Sequence, residues 1–253
     1  MTVSTFYTRD GVEVPAITAE HMREIDRVAT EELGPNLYQM MENAGRNLAE
    51  LAIELVAGSG AHTTSDWTAI PIVVLAGTGG NGGGGICAAR HLANHGANVT
   101  LVLTNITRLR EVPEKQLELY RAADGRLGER SELADSPAGL VIDAVLGYSL
   151  TSTPTGEAAD LIQWMAQQCA PILSLDVPSG VNATTGIAPG AHVTASTTMT
   201  LALPKTGLDS DAVGDLWLAD IGIPKQTYER AGAMPPKGIF SSGYRVRLLS
   251  HDA

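Results

Sequence analysis

A chain of 253 residues, 44% of them apolar, is long enough for one sizeable hydrophobic core, and a single domain is expected. Its formal net charge of −11 opposes the clustered Lys and Arg of a nucleic-acid binder, so no nucleic-acid partner is expected and an anionic ligand must be held by local geometry. Cys87 and Cys169 are too few and too far apart for a disulfide framework or a zinc site, and both are expected to be buried thiols.

Residues 1–11 are polar and lack the basic and apolar regions of a signal peptide, and no later stretch reaches about 18 uninterrupted apolar residues. The expectation is a cytoplasmic protein with no membrane partner. Thr18 reads as an N-cap with Glu20 in the first turn, and Met22, Ile25, Val28, Ala29 and Leu33 follow at helical spacing until Gly34 and Pro35. Leu37, Met40, Met41, Ala44, Leu48, Leu51, Ala52 and Leu55 predict a second helix, and residues 58–66 a loop.

From residue 70 the period changes. Residues 70–76 form a short apolar run rich in β-branched side chains, as in a strand buried on both faces. Similar runs occur at 99–103, 140–142 with continuation to 146, 172–175 and 197–203, and helical patterns lie between them at 85–95, 113–123 and 157–168. This alternation predicts βαβ units in an α/β fold, with a mostly parallel sheet and helices on both faces. Beyond Pro224 the pattern is weak, with loops at 232–238 and 241–243 and at most a strand over 244–248.

Three segments carry polar chemistry. The first, Gly77-Thr-Gly-Gly-Asn-Gly-Gly-Gly-Gly85, follows a predicted strand and opens a predicted helix, a setting in which backbone N–H groups approach an anion closely. Phosphate binding is the natural expectation, although the run fits neither the dinucleotide fingerprint nor the Walker A sequence, and a ligand-free turn is the alternative. The second places Asp143 near a strand's carboxyl end, before Gly147, Tyr148, Ser149, Leu150, Thr151, Ser152 and Thr153. The third places Asp176 and Ser179 at another strand end. In a doubly wound sheet ligands sit outside those ends, so two carboxylates and the glycine loop are expected to face one pocket. Each Asp alone reads equally well as an Asx-turn or a cap. Asn81, Asp143 and Ser179 supply hard oxygens, suited to an alkali or alkaline-earth ion and unsuited to zinc.

The order and spacing of Met41-Glu-Asn-Ala-Gly-Arg46, the glycine loop with Ala89-Arg-His-Leu92, Asp143-Ala-Val-Leu-Gly147, Asp176-Val-Pro-Ser-Gly180, Pro204-Lys-Thr-Gly-Leu208 and Asp220-Ile-Gly-Ile-Pro224 resemble the NAD(P)H-hydrate epimerase family, the YjeF N-terminal domain, from Thr18 through Pro224. The resemblance implies a Rossmann-like three-layer αβα fold and an isomerase acting on hydrated NADH or NADPH, commonly as a homodimer with a separate hydrate dehydratase as functional partner. It implies a potassium ion on Asn81, Asp143 and Ser179. It further implies substrate contacts from Gly80, Asn81, Gly82, Gly83 and Gly84, from the residues Gly147 to Thr153, and from Asp176. Gly80 and Gly84 stand where the family loop usually has Asn and Asp, and Ser152-Thr153 where a charged residue is usual.

Epimerisation at the ring carbon beside the ring nitrogen needs the carbon–oxygen bond to weaken and water to return on the other face, and Asp176 is the expected proton-exchanging carboxyl. Asp143 is expected to be held ionised by the cation, although the two roles are exchangeable. The alternative is a non-catalytic nucleotide-binding or protein-interaction domain of the same type; an ordinary NAD(P)-dependent oxidoreductase fits the glycine pattern poorly. Asn43 reads as a pocket residue or an inter-helix tie. Arg90 and His91 read as braces, Lys205 as a solvated lysine or phosphate contact, and Trp67, Trp164 and Trp217 as core or interface residues.

Overall fold

The computed structural model describes residues 5–58, 67–135 and 137–250, so most of the loop expected at 58–66 lies outside the described residues. The polar N-terminus, where the pattern predicts no strand, forms a hairpin of β1 (Thr5–Thr8) and β2 (Glu13–Pro15), with Phe6 and Val14 turned into the core. Helix α1 (Ala19–Glu31) starts at Thr18, whose hydroxyl accepts from the His21 N–H at 3.1 Å, and buries Met22, Ile25, Val28 and Ala29. Helix α2 (Leu37–Ala57) is capped by Asn36, which exchanges hydrogen bonds with Gln39 in a capping box.

Strand β3 (Ile72–Ala76) is buried along its whole length and leads into α3 (Gly80–Asn94). Then follow β4 (Val99–Leu103), α4 (Glu111–Ala122), β5 (Arg126–Leu127), β6 (Leu140–Ala144), α5 (Gly156–Met165), β7 (Ile172–Leu175), β8 (Thr197–Leu201), β9 (Asp215–Ala219), α6 (Lys225–Arg230) and β10 (Arg245–Ser250). The short strands β5 and β9 and the helix α6 are absent from the sequence reading.

The strands form one sheet in the order β2-β1-β10-β9-β8-β7-β6-β3-β4-β5. From β9 to β5 all neighbours are parallel, and β10, β1 and β2 add an antiparallel edge. The chain winds outward from β3 through β4 and β5, then returns to lay β6 on the other side of β3. Their connections leave in opposite directions, so a crevice opens at the carboxyl ends of β3 and β6.

Side chains alternate across the sheet. Ile72, Val74 and Ala76 face α2, α3 and α4 through Leu48, Ile86, Leu92, Leu117 and Tyr120. Val73, Leu75 and Val141 face α5 through Leu161, Ile162 and Met165. The result is the expected three-layer αβα arrangement. Helices α1 and α6 pack with the hairpin and β10 in a further core region, through Ile25, Tyr228 and Val246. None of the three tryptophans is fully buried; Trp164 Nε1 donates to the Leu133 carbonyl and Arg245 lies over the Trp217 ring. Among the described residues no helix is long and apolar enough to cross a membrane.

Candidate active site at the switch point

The glycine run is helical where a loop is expected. Helix α3 begins at Gly80, five residues before the predicted start. The Gly83 N–H already bonds to the Gly79 carbonyl at 3.0 Å, which leaves the N–H groups of Gly80, Asn81 and Gly82 as the unpartnered first turn. The backbone N–H groups open to an anion are therefore those of residues 80–82, and from Gly83 onward the N–H groups lie within the helix.

The later glycines serve packing, which overrides their poor helix propensity. A Cβ on Gly83 would stand 2.4 Å from Met41 Sδ, and one on Gly85 2.4 Å from Ala144 Cβ. A Cβ on Gly45, in α2, would stand 2.9 Å from the Gly84 carbonyl oxygen. Gly83→Val is thus a packing lesion between α2, α3 and α4, with no left-handed backbone involved.

A cavity of about 550 Å³ opens beside that first turn. Of the expected binding residues Gly80, Asn81, Gly84, Gly147, Tyr148, Ser149 and Asp176 line it. Gly82 and Gly83 are buried, and Leu150, Thr151, Ser152 and Thr153 lie off the cavity, with Thr153 donating to the Pro189 carbonyl. Met40, Met41, Val112 and Pro113 make an apolar wall, and Arg23 and Arg110 bring positive charge to the lining. A wider groove of about 930 Å³ beyond β4 and β5 carries only exposed charges, Glu129, Arg130 and Glu157, and offers no comparable chemistry.

Asp176 sits at the end of β7 with φ +68°, a left-handed conformation unusual for a residue with a side chain and costing about 1–3 kcal/mol. Its Oδ2 accepts from the Tyr148 backbone N–H at 3.0 Å. Its Oδ1 lies 2.5 Å from Lys205 Nζ. Lys205 is no surface lysine: it is 0% exposed, and its ammonium also donates to the Leu201 carbonyl at 2.9 Å and Thr200 Oγ1 at 3.3 Å. Gly147 lets these groups converge, since a Cβ there would stand 3.2 Å from both Asn81 Oδ1 and Asp176 Oδ2.

Asp143 lies beneath the cavity and does not line it, contrary to the expectation of two carboxylates facing one pocket. Wholly buried, it accepts from Ser179 Oγ at 2.5 Å, the Ser179 N–H and Ser174 Oγ at 2.8 Å, and the Val145 N–H at 3.3 Å. Burial pushes its carboxyl up from the ordinary range despite those donors. Asn81 Nδ2 donates to the Leu146 carbonyl at 3.0 Å, and Ser179 Oγ lies 3.2 Å from the same oxygen, so Asn81, Asp143 and Ser179 gather around Leu146. This donor set is all oxygen and fits a hard cation in kind.

Besides Asp176 the cavity lining holds two further acids: Glu111, exposed and accepting from the Tyr38 hydroxyl at 3.1 Å, and Asp26, from α1, which the sequence reading missed. Tyr148 Oη donates to Asp26 Oδ2 at 2.5 Å. Burial pushes the Asp26 carboxyl up, and burial together with the Asp26 charge pushes the Tyr148 phenol up. Only the helical stripe of α1 is visible in the sequence, and Asp26 directly follows the buried Ile25 on it.

The remaining candidates brace the helices. Asn43 Nδ2 donates to the Ile221 carbonyl at 3.1 Å, and Glu42 binds Arg90 NH2 at 2.5 Å and His91 Nε2 at 2.9 Å. Glu42, His91 and Cys87 cluster within 4.8 Å, but the Arg90 guanidinium already occupies that place, and burial pushes the Cys87 thiol up to about 12. Cys87 is buried as expected, whereas Cys169 is exposed.

The family described as YjeF-related protein N-terminus matches residues 37–207. The NAD(P)H-hydrate epimerase of Dehalogenimonas lykanthroporepellens is 49% identical over 247 residues, 98% of each chain. That of Truepera radiovictrix is 36% identical over 222 residues, 87% of this chain and 95% of its own. The bifunctional NAD(P)H-hydrate repair enzyme Nnr of Hyperthermus butylicus is 39% identical over 250 residues, 94% of this chain but 43% of that enzyme. The crystal structure of yeast ynu0 has the same fold, with a TM-score of 0.80 over 92% of this chain and 100% of that one at 21% identity.

Proposed function

The chain belongs to the YjeF-related N-terminal family, that of the NAD(P)H-hydrate epimerases, and from that membership we propose how its cavity performs the isomerisation. The substrate is hydrated NADH or NADPH. Its phosphates lie at the first turn of α3, where the N–H groups of Gly80, Asn81 and Gly82 and the positive end of the helix dipole face an anion, with Arg23 and Arg110 adding charge in a protein that is acidic overall. The reduced ring packs on the apolar wall of Met40, Met41 and Pro113.

Asp176 exchanges the proton. The observation that supports it most directly is that the carboxylate lies in the cavity lining, held at three points by Lys205, Thr200 and the Tyr148 N–H, so that its orientation is set before substrate arrives. The test is direct: R and S hydrates, each supplied pure, should be brought to the same mixture faster than the spontaneous reaction, as read by chromatography. Absence of turnover on both epimers would overturn the reading.

Asn81, Asp143 and Ser179 would hold a potassium ion, which supplies fixed positive charge at the strand ends. Melting temperature should rise when potassium replaces tetramethylammonium at equal ionic strength. Identical melting in the two salts would remove the site. The same reading includes a homodimer, a cytoplasmic location and a hydrate dehydratase as functional partner, the last in keeping with bifunctional relatives such as that of Hyperthermus butylicus.

A further inference from the structure

We propose that Asp26 is the second proton-exchanging group of the epimerisation, acting on the face of the ring opposite to Asp176. The inference rests on the reaction assigned above and deepens it. Inversion requires water to leave one face of a flattened ring carbon and to return on the other. Asp176 cannot serve both faces, because its two oxygens are fixed by the Lys205 ammonium and the Tyr148 N–H and its backbone is locked at the end of β7.

Tyr148 holds the two acids apart. Its backbone N–H binds Asp176, and its phenol binds Asp26 from the other end of the same side chain, so the carboxyls are separated by roughly the length of a tyrosine. Both line the cavity. Asp26 Oδ2 takes the phenol proton bond, and its Oδ1 has no hydrogen-bond partner among the described residues. The charge environments also differ. Asp176 is ion-paired with a buried ammonium, whereas burial of Asp26 outweighs its favourable partners and pushes its carboxyl up. Paired acids in unlike environments divide into a donor and an acceptor.

The step balances. Protonated Asp26 gives its proton to the departing hydroxyl, the carbon–oxygen bond breaks, and the ring nitrogen lone pair forms a carbon–nitrogen double bond as water leaves. A second water adds on the Asp176 side, its proton passing to the Asp176 carboxylate as the electron pair returns to nitrogen. The opposite epimer uses the same groups in reverse, and solvent restores the protonation states between turnovers.

Asp26→Asn keeps the volume and the oxygen that accepts from Tyr148. Its turnover should fall about a hundredfold or more, with KM changed by less than a few fold and melting temperature not lowered. In water enriched in oxygen-18, and corrected for the uncatalysed reaction, the parent should incorporate close to one solvent oxygen per inversion. The variant should incorporate more than one, because water still leaves and returns on the Asp176 face. Tyr148→Phe, which frees Asp26, should shift the isotope ratio in the same direction and serves if Asp26→Asn does not fold. An active parent with near-normal turnover in Asp26→Asn, or with turnover and exchange falling together at an unchanged ratio, would overturn the role of Asp26 and leave the epimerase reading intact. An inactive parent would instead remove the reading on which it rests.

Discussion

Lys205→Met should lower stability by about 3–5 kcal/mol, the cost of leaving one partner of a buried ion pair alone, and should nearly abolish turnover. Lys205 is 0% exposed and Asp176 3% exposed, so removing either partner leaves the other charge buried and without its counter-charge. The other neighbours of the Asp176 carboxylate, the Tyr148 N–H and the Thr200 hydroxyl, are uncharged. By the same logic Asp176→Asn should also cost stability, since it strands the ammonium. Urea denaturation should show the midpoint falling in both single variants. The double variant Lys205→Met/Asp176→Leu should recover much of the loss, because an apolar pair of similar volume often replaces a buried ion pair without penalty. Its activity should stay absent. A parent-like midpoint in Lys205→Met would mean that the pair does not contribute to the fold as described.

Gly82→Ala should be the most damaging single methyl in the glycine run, on the order of 3 kcal/mol or more, at or beyond the upper end of ordinary overpacking. The added Cβ would stand 1.9 Å from the Gly77 carbonyl oxygen and 2.5 Å from its carbon, so backbone has to move on both sides of the β3–α3 junction. Gly77 cannot retreat freely, because its N–H binds the Ala144 carbonyl at 3.0 Å and its own Cα hydrogen faces the Val145 carbonyl, which a Cβ there would meet at 2.1 Å. Gly80→Ala is the control: nothing lies within 4 Å of its Cβ position. Thermal or urea midpoints should therefore separate two alanines placed two residues apart in one helix. Equal midpoints would show that the junction has slack that these contacts do not indicate.

The sequence by itself determines the layered architecture, because the signals for it are local. Strands β3 and β7 are short runs buried on both faces, and β4 is nearly so; their largely apolar runs mark them without any partner in view. Thr18 and the stripe after it likewise specify α1, whose cap and buried face are all within one helix. The order of the motifs is enough to indicate the family. The edge strands escape the same reasoning: β1 has four residues and β2 three, too few for a period to be counted, and their pairing depends on β10, which arrives from the far end of the chain. The start of α3 escapes it for a different reason. Glycine opposes helix locally, and only tertiary neighbours make glycine the residue that fits: the Gly77 carbonyl at Gly82, Met41 and Pro113 at Gly83, Leu175 at Gly84 and Ala144 at Gly85.

Tertiary structure alone decides the chemistry of the cavity. Lys205 and Asp176 are 29 residues apart, and Asp26 and Tyr148 are 122 apart. Nothing in the composition around Lys205 distinguishes a solvated lysine from one whose charge is wholly enclosed. The parallel sheet brings the ends of β7 and β8 side by side, and α1 packs alongside, so that charges remote in the chain meet where water is excluded. An ion pair in that setting stabilises or destabilises by several times what the same residues would at the surface, through the low local dielectric. Periodicity reports which face a residue occupies; it carries no information about which charge lies opposite.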